Sequence, residues 1–474
     1  MRSAASIARG IREGDLSPVA VVEATLDRIE ARNDRTNAFV TVTADRAREQ
    51  ARAAEQAIEQ GKPLGPLHGV PIAIKDLDDV AGVRTTNGSL LFEEYVADQS
   101  EPFVDRLVEA GAIIVGKTNT PEFGLGCTTH NRVVGPTESP LAPGHISGGS
   151  SGGAAAALAD GLVPIAQGSD TGGSIRTPAA CCGVVGLKPT FGRVPMADDR
   201  NAFSAHTPFS HLGPLARTVE DAALTLDVLA GPHPADPFAL PAPSTRFVDA
   251  VNEPVDDLQV AYSPALDTYP VATPVREVVG EAVDAFETAG ATVDRADPAL
   301  DLTQDEILDA YYTFATVLWE GLFDGLETEG YDPRGADRDR LADSTVETIL
   351  KAEDVSTREL TAAQRTRSEV LSAMTDLFDE YDLLVCPTLC VPPFEVGEHP
   401  TEIEGMEIDP RRGWLLTQPF NMTGQPVAAL PAGQTDDGLP VGLQLVGPRL
   451  AERDVVAAAA AYERVCPWHD AYPA

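Results

Sequence analysis

Short apolar segments alternate with longer amphipathic ones from about residue 70 onward. Val70 to Ile74 has the composition of a buried strand, with Lys75 at its end. Pro102 to Ala110 has the pattern of a helix closed by Gly111, and Ala112 to Val115 follows as the next strand. Such alternation is typical of an α/β fold. We expect a single large domain with a central mixed β-sheet covered on both faces by helices.

The same pattern predicts most of the remaining elements. The predicted strands are Leu162 to Ala166, Leu258 to Tyr262, Ala291 to Val293, Asp382 to Val385, Val427 to Leu430 and Val441 to Val446. The predicted helices begin at Pro18 behind the cap Ser17 and continue with Thr43 to Gln60, Ala154 to Ala159, Pro274 to Thr288, Asp305 to Phe323, Thr357 to Phe378 and Glu452 to Val465.

No low-complexity linker divides the chain, so residues 1–474 are predicted to form one domain. We expect four parts within it: a helical part at 1–62, a motif-rich catalytic core at 63–230, a variable substrate-pocket segment at 231–415, and C-terminal core strands and helix at 416–474. The proline-rich stretch Gly231 to Ser244 is the best candidate boundary between the second and third parts.

The net charge of −38 is extreme, and arginine supplies nearly all of the positive charge. A strongly acidic surface depleted in lysine suits a salt-rich cytoplasm, where repulsion between surface charges is screened. An ordinary acidic enzyme is the alternative. On either interpretation, the negative electrostatic field of the protein repels nucleic acid and anionic membranes, so neither is expected as a direct partner.

The chain contains only five lysines, so each of them is a stronger candidate than usual for a specific role. Lys75, Lys117 and Lys188 lie in apolar or glycine-rich stretches, whereas Lys62 and Lys351 have the surroundings of surface residues. The six cysteines lack the spacing of a metal site and are expected to be reduced core thiols of a cytoplasmic protein. No apolar run is long enough to span a membrane.

Two glycine-rich serine loops carry the candidate chemistry. The first is the run Gly148 to Gly153, which contains Ser150 and Ser151; the second, Gly172 to Ser174, follows the predicted strand at 162–166. Glycines before a nucleophile let backbone N–H groups converge on one point, where they can hold an oxyanion. Taken alone, however, each loop is no more specific than a glycine-rich turn.

Several other site types are disfavoured by the sequence. Neither loop has the pattern of a P-loop or of a dinucleotide-binding turn, so a phosphate role is disfavoured. The G-x-S-x-G elbow is absent, and no histidine has a diagnostic spacing to the serines. No metal-ligand spacing such as H-E-x-x-H occurs. We therefore expect neither a metal nor a cofactor.

Taken together, the motifs resemble the amidase signature family. The matching stretches are Gly69-Val-Pro-Ile-Ala-Ile-Lys-Asp76, Gly116-Lys-Thr-Asn119, Gly148-Gly-Ser-Ser-Gly-Gly153, Gly168-Ser-Asp-Thr-Gly-Gly-Ser-Ile-Arg176 and Gly183-Val-Val-Gly-Leu-Lys-Pro189. The spacings also resemble the family's, with 75 residues from the lysine to the first serine (150 − 75) and 24 between the serines (174 − 150). The resemblance extends from about Ser6 to Trp468 and implies the amidase signature fold.

The resemblance also implies a set of roles. Ser174 would be the nucleophile, Ser150, preceded by a cis peptide bond, would relay its proton, and Lys75 would be the base. Backbone N–H groups of four consecutive residues would form the oxyanion hole, namely Thr171, Gly172, Gly173 and Ser174. Gly149 would ease the cis geometry, and Ser151 would support the loop by hydrogen bonds. The reaction implied is hydrolysis of a linear amide to a carboxylate and ammonia or an amine, through an acyl-enzyme.

Two alternatives remain open beside a stand-alone amidase. The glutamine-hydrolysing A subunit of the tRNA-dependent amidotransferase belongs to the same family. Phe191 to Met196, Pro208 to Pro214, Pro419 to Pro426 and Gly438 to Gln444 look more like the stand-alone amidases. A catalytically dead scaffold is disfavoured because every triad position is filled.

The substrate expected is a small-molecule amide, with a homodimer as the candidate assembly. The segments expected to line the acyl pocket are 200–210, 310–325 and 410–420. Their aromatic side chains could line that pocket or could equally belong to the core: Tyr311, Tyr312, Phe314, Trp319 and Trp414.

Overall fold

The computed structural model describes residues 1–197, 201–351 and 354–473. Residue 200, the first of one expected pocket segment, and residue 474, the last of the expected C-terminal part, lie outside these ranges. The first predicted helix forms as the sequence indicates. Ser17 Oγ accepts a hydrogen bond from the N–H of Ala20 at 3.2 Å, and Pro18 occupies the first helical turn, where its missing N–H costs nothing.

Thirteen α-helices are present in the described ranges. They are α1 (Ala4–Glu13), α2 (Pro18–Thr36), α3 (Ala44–Glu59), α4 (Pro102–Glu109), α5 (Gly152–Ala159), α6 (Arg176–Cys182), α7 (Val219–Leu229), α8 (Thr273–Ala289), α9 (Gln304–Thr328), α10 (Asp343–Leu350), α11 (Thr357–Phe378), α12 (Gln418–Thr423) and α13 (Glu452–Val465).

The same ranges contain seventeen β-strands, five of them only two residues long. They are β1 (Phe39–Val42), β2 (Pro71–Lys75), β3 (Ile113–Thr118), β4 (His130–Asn131), β5 (Gly135–Pro136), β6 (Glu138–Ser139), β7 (Ala142–Ile146), β8 (Ile165–Asp170), β9 (Val185–Lys188), β10 (His211–Ala216), β11 (Gln259–Tyr262), β12 (Thr292–Arg295), β13 (Leu383–Pro387), β14 (Glu402–Ile403), β15 (Met406–Glu407), β16 (Val427–Gln434) and β17 (Pro440–Val446).

Eleven of the strands form one mixed sheet in the order β1-β3-β2-β8-β10-β9-β16-β17-β13-β11-β12. Strands β3, β2 and β8 are parallel to one another, as are β13, β11 and β12, and the strands between these groups pair antiparallel. Helices flank the sheet. The expected single α/β domain is confirmed, because the sheet includes strands from both sides of the proline-rich stretch 231–244.

Helix α5 explains one error in the predicted strand boundaries. The segment at 162–166 was expected to be a strand, but β8 begins only at Ile165. Gly161 adopts a positive φ of 69°, and the N–H of Leu162 donates to the carbonyl of Ala157 at 2.8 Å. Leu162 therefore belongs to the C-terminal cap of α5, although its apolar character resembles that of a strand residue.

Every residue of α5 is buried. Its sequence, Gly-Gly-Ala-Ala-Ala-Ala-Leu-Ala, leaves no polar face, as expected for a helix enclosed by protein on all sides. The helix packs against α6, α2 and strands β8 and β10 of the sheet. This packing fixes the position of the loop that precedes it, which contains Ser150 and Ser151.

Candidate active site

The predicted catalytic residues meet at one edge of the sheet because two of their strands run parallel there. Strand β2 ends at Lys75, and strand β8 ends at Asp170, immediately before the loop that contains Ser174. The strands are direct neighbours, with Ile72 opposite Ile165. Their carboxyl ends therefore lie at the same edge, where α/β proteins usually bind ligands.

Lys75 is fully buried at the end of β2. Its Nζ donates hydrogen bonds to Ser150 Oγ at 2.6 Å and to Ser169 Oγ at 3.0 Å. Burial lowers the pKa of Lys75 to about 7, even though the carboxylates of Asp78 and Asp170 favour its protonated form. A substantial fraction of this lysine is therefore neutral, and able to accept a proton, near neutral pH.

The loop before α5 has the backbone that the family resemblance implies. The Gly149–Ser150 peptide bond is cis. A Cβ at position 149 would lie 2.7 Å from the backbone nitrogen of Thr128, so only glycine fits there. The N–H of Ser151 donates to the carbonyl of Ser174 at 3.1 Å, and its Oγ donates to the carbonyl of Ser169 at 3.4 Å. These bonds join the two serine loops.

Ser174 lines the same cavity as Ser150. The side chain is half-buried and its Oγ has no hydrogen-bond partner in the described part of the chain. One of the four N–H groups predicted for the oxyanion hole is already engaged, since Gly173 donates to Asp170 Oδ1 at 2.8 Å. In the described ranges, the N–H groups of Thr171, Gly172 and Ser174 have no protein acceptor.

An ion pair that the sequence analysis did not identify holds the second serine loop in place. The Asp170 carboxylate accepts hydrogen bonds from Arg176 Nε and Nη2, each at 3.0 Å, and from the N–H of Ile175 at 3.1 Å. Burial alone would raise the pKa of Asp170, but the Arg176 guanidinium holds it well below its usual range. Arg176 also donates to the carbonyl of Thr417 at 2.9 Å.

Both other lysines of the matched stretches are fully buried, which agrees with their apolar or glycine-rich surroundings in the sequence. Lys117 Nζ donates to Thr85 Oγ1 at 2.7 Å and lies 3.4 Å from Asp76 Oδ1. Lys188 Nζ donates to the carbonyls of Pro189 and Gln425. In the described ranges, neither of these two lysines hydrogen-bonds to Ser150 or Ser174. Lys62 and Lys351 are exposed, as predicted.

The cavity at this edge has a volume of about 220 Å³. Its lining includes residues of the two serine loops and the apolar side chains of Leu77, Phe123 and Leu125. Helix α9 and Arg412 also contribute to it. The complete lining is Leu77, Phe123, Gly124, Leu125, Ser150, Ser169, Thr171, Gly172, Ser174, Asn201, Ser204, Tyr311, Leu318, Trp319, Gly321, Leu322 and Arg412.

The five aromatic candidates for the pocket divide between several positions. Tyr311 and Trp319 line the cavity. Tyr312 lies on an adjacent cleft, whereas Phe314 and Trp414 are fully buried in the core. All three expected segments contribute to the cavity, through Asn201 and Ser204, through α9, and through Arg412. Sequence reasoning did not identify Leu77 or Phe123, and it did not single out Arg412 within the expected segment 410–420, because no local pattern distinguishes these residues.

Metal sites and membrane-spanning helices are both absent from the described residues. Those residues contain no group of three or more histidine, cysteine or carboxylate side chains that could hold a metal ion. No helix in the same ranges is both long and apolar enough to cross a membrane. The six cysteines are free thiols, and five of them are buried, as expected from their spacing.

Comparison with known proteins places this geometry in a family. The model of the family described as Amidase matches residues 20–456. An acylamidase of Rhodococcus erythropolis is 38% identical over 100% of this chain and 97% of its own length. The A subunit of a glutamyl-tRNA(Gln) amidotransferase from Natronomonas pharaonis is 40% identical, over 84% of this chain and 96% of its own length.

Solved structures support the same relationship. The crystal structure of a bacterial aryl acylamidase of the amidase signature family superposes with a TM-score of 0.95 at 37% identity, covering 99% of this chain and 97% of that one. The A subunit of a glutamyl-tRNA(Gln) amidotransferase from Thermotoga maritima superposes with a TM-score of 0.78 at 26% identity, covering 98% of this chain and 95% of that one.

Proposed function

We propose that this chain, which belongs to the amidase signature family and is an amide hydrolase, cleaves a linear amide through a serine acyl-enzyme. The observation that carries this mechanism is the 2.6 Å hydrogen bond between Lys75 Nζ and Ser150 Oγ, made by a lysine whose pKa burial lowers to about 7. Ser174 lies on the same cavity with its hydroxyl free of protein partners in the described ranges. The three side chains suit nucleophile, relay and base.

In the proposed acylation step, neutral Lys75 takes the proton of Ser150 while Ser150 takes the proton of Ser174. The bond from Ser174 Oγ to the amide carbon forms, and the carbonyl electron pair moves onto oxygen. When the tetrahedral intermediate collapses, the C–N bond breaks and the leaving nitrogen takes the proton back through Ser150. Ammonia or an amine departs, and water then hydrolyses the ester at Ser174 by the same proton route to release a carboxylate.

Backbone N–H groups would stabilise the oxyanion formed in both steps. Thr171, Gly172 and Ser174 are the candidate donors, because in the described ranges their N–H groups have no protein acceptor. Removing one such donor typically costs about 3–4 kcal/mol of transition-state stabilisation. The Asp170–Arg176 ion pair would hold the loop in position during turnover without touching the substrate.

We favour a stand-alone amidase over a component of the tRNA-dependent amidotransferase. The acylamidase of Rhodococcus erythropolis matches the whole chain, and the bacterial aryl acylamidase superposes with the higher TM-score of the two structures compared above. The amidotransferase relative from Natronomonas pharaonis is more similar in sequence than the acylamidase, at 40% against 38% identity, but over a smaller share of the chain. The amidotransferase subunit is therefore the alternative to be tested.

Two measurements test these assignments. Ser174→Ala should abolish both amide hydrolysis and labelling by a fluorophosphonate, whereas Ser244→Ala, at an exposed serine outside the cavity, serves as the control and should keep both. Labelling that persists in Ser174→Ala would exclude Ser174 as the nucleophile.

A screen of aliphatic and aryl amides against free glutamine, with and without the partner proteins of the amidotransferase, separates the two alternatives. Glutaminase activity that appears only with the partners would overturn the stand-alone assignment.

We also propose that the enzyme works in a salt-rich cytoplasm, on a small-molecule amide, without direct contact with nucleic acid or membrane. The support is the net charge of −38 together with the burial of three of its five lysines, which leaves two at the surface. Activity and thermal stability should rise with KCl up to molar concentrations. An enzyme equally stable without added salt would contradict the proposal. Sedimentation in the same buffer would show whether it is a homodimer.

A further inference from the structure

Arg412 differs from the other buried arginines of this protein. Three arginines are buried in the described ranges, with exposed fractions of 0% for Arg176, 7% for Arg193 and 8% for Arg412. Arg176 pairs with Asp170 and Arg193 with Glu452, each with Nε at 3.0 Å from a carboxylate oxygen. Arg412 has no such ion pair in those ranges, although a buried charge normally requires a partner.

Aromatic rings surround the Arg412 guanidinium. Its central carbon lies 5.2 Å from the ring centroid of Tyr311, 5.9 Å from that of Tyr312 and 5.8 Å from that of Trp319. Cation–π contacts of this kind stabilise the charge and orient the group, but they use none of its N–H donors. The rings therefore fix the position of the guanidinium while leaving its hydrogen-bonding capacity available.

The nearby carboxylate of Asp409 is already engaged elsewhere. Its Oδ1 accepts from the backbone N–H of Arg412 at 2.8 Å, from that of Arg411 at 2.9 Å, and from the hydroxyl of Tyr312 at 3.0 Å. Asp409 acts on the charged side chain of Arg412 only at longer range. It does not supply the direct acceptor that the guanidinium lacks.

A guanidinium has five N–H donors, and in the described ranges only one of them has a protein acceptor here: Arg412 Nη1 donates to Tyr311 Oη at 3.4 Å. The Nε and Nη2 atoms are unpaired within those ranges and yet are not sealed inside protein. Arg412 lines both the active-site cavity and the adjacent cleft of about 590 Å³, together with Leu125 and Trp319.

The hydroxyl of Tyr311 contacts both the Arg412 guanidinium and the loop that contains Gly172 and Ser174. Tyr311 Oη, which accepts from Arg412, packs so closely on Gly172 that a Cβ there would lie 2.1 Å from it. Gly172 and Ser174 line the same cavity as Arg412. A substrate held at Ser174 can therefore place a short substituent against Arg412.

We propose that Arg412 is a specificity-determining residue that binds a carboxylate of the substrate, so that the enzyme acts on small amides that carry a carboxylate. This inference rests on the amide hydrolysis proposed above. A carboxylate suits the site because its two oxygens match the guanidinium fork and because it would neutralise a buried cation. The cavity of about 220 Å³ accommodates a small substrate of this kind.

The experiment compares matched amides on the wild-type enzyme and on two variants, in molar KCl so that repulsion by the acidic surface is screened. Succinamate, glutaramate and adipamate carry a carboxylate on the acyl side, and butyramide, valeramide and hexanamide are their neutral counterparts. N-acetyl-β-alanine carries the carboxylate on the amine side of the amide, and N-propylacetamide is its neutral counterpart. Glutamine is glutaramate with an added ammonium group, which should be disfavoured beside Arg412.

The variants are Arg412→Gln and its exposed neighbour Arg411→Gln, which lines only the adjacent cleft. We expect the wild type to prefer a carboxylate-bearing amide in kcat/KM. Arg412→Gln should reduce kcat/KM for that amide by about 10- to 100-fold, as expected for loss of a charged hydrogen bond, and should reduce kcat/KM for its neutral counterpart far less. Arg411→Gln should change neither. Equal losses on both amides, or a wild-type preference for the neutral one, would overturn the proposal.

A binding measurement separates this proposal from the amidase mechanism. Calorimetry with succinate and glutarate on Ser174→Ala, with and without Arg412→Gln, requires no turnover. Binding to Ser174→Ala that is lost in the double variant would support the carboxylate site. If such binding were found but no amide were hydrolysed by the wild type, the carboxylate site would stand and only the proposed reaction would be wrong. Absence of binding to Ser174→Ala would refute the carboxylate site. Circular dichroism establishes that each variant is folded.

Discussion

The protonation of Lys75 should control the rate. An ordinary lysine, with a pKa of 10.5, is neutral in only about one molecule in three thousand at pH 7, whereas a pKa of about 7 leaves about half of the molecules neutral. Burial therefore increases the available base on the order of a thousandfold. Because the neutral form is the active one, kcat/KM should rise with pH through about 7 and level off above about pH 8.

Lys75→Met keeps the apolar stem but removes the amine. We expect kcat/KM to fall by about 10²–10⁴-fold, the usual contribution of a general base, and the rise near pH 7 to disappear. The assay is hydrolysis of a chromogenic anilide from pH 5 to 9 at constant salt, with Lys62→Met at an exposed lysine as the control. A wild-type profile that is flat across this range, or a Lys75→Met variant that keeps the rise, would refute the reasoning.

Three further outcomes follow from contacts near the site. Burial sets the low pKa of Lys75 and the Asp78 carboxylate opposes it, so Asp78→Asn should move the rise in kcat/KM to lower pH; a shift to higher pH would contradict this. Gly172→Ala should lower kcat at least tenfold in steady-state kinetics, because the added Cβ would lie 2.1 Å from Tyr311 Oη. A kcat equal to that of the wild type would contradict this and show that the loop at 171–174 can move. Asp170→Asn should lower the free energy of unfolding by about 3–5 kcal/mol in urea titrations, since it leaves a buried guanidinium without its charge partner, and unchanged stability would contradict this.

The sequence predicted those parts of the site that depend on local chemistry. Gly149, before Ser150, is needed because backbone atoms approach it closely, and Gly172, before Ser174, is needed because the Tyr311 side chain does. Lys75 was informative because the chain has so few lysines. The N–H of Gly173 shows where such reasoning stops. The family resemblance implied that this N–H is an oxyanion donor, but the side chain of Asp170, three residues earlier, folds back and accepts its hydrogen bond.

The cavity wall could not be predicted residue by residue, because tertiary packing decides which side chains reach it. Tyr311 and Phe314 are three residues apart on α9 and both are buried, yet only Tyr311 is among the described residues that line the cavity. Phe314 instead has the Arg367 guanidinium 5.2 Å from its ring centroid. Trp414 follows Arg412 by two residues but packs edge-on against Phe394 in the core. Aromatic character alone does not distinguish these positions.

The reactive groups and much of the cavity lining are encoded by separate stretches of the chain, since the lysine and both serines precede residue 175 and five of the lining residues belong to α9. Variation in α9 could therefore change which acyl groups are accepted without disturbing the reactive groups. Gly321 offers the simplest route, because a Cβ there would meet no atom within 4 Å beyond the adjoining backbone of its own helix. A saturation library at Leu318, Gly321 and Leu322 would turn this division of the fold into a means of redesigning substrate range.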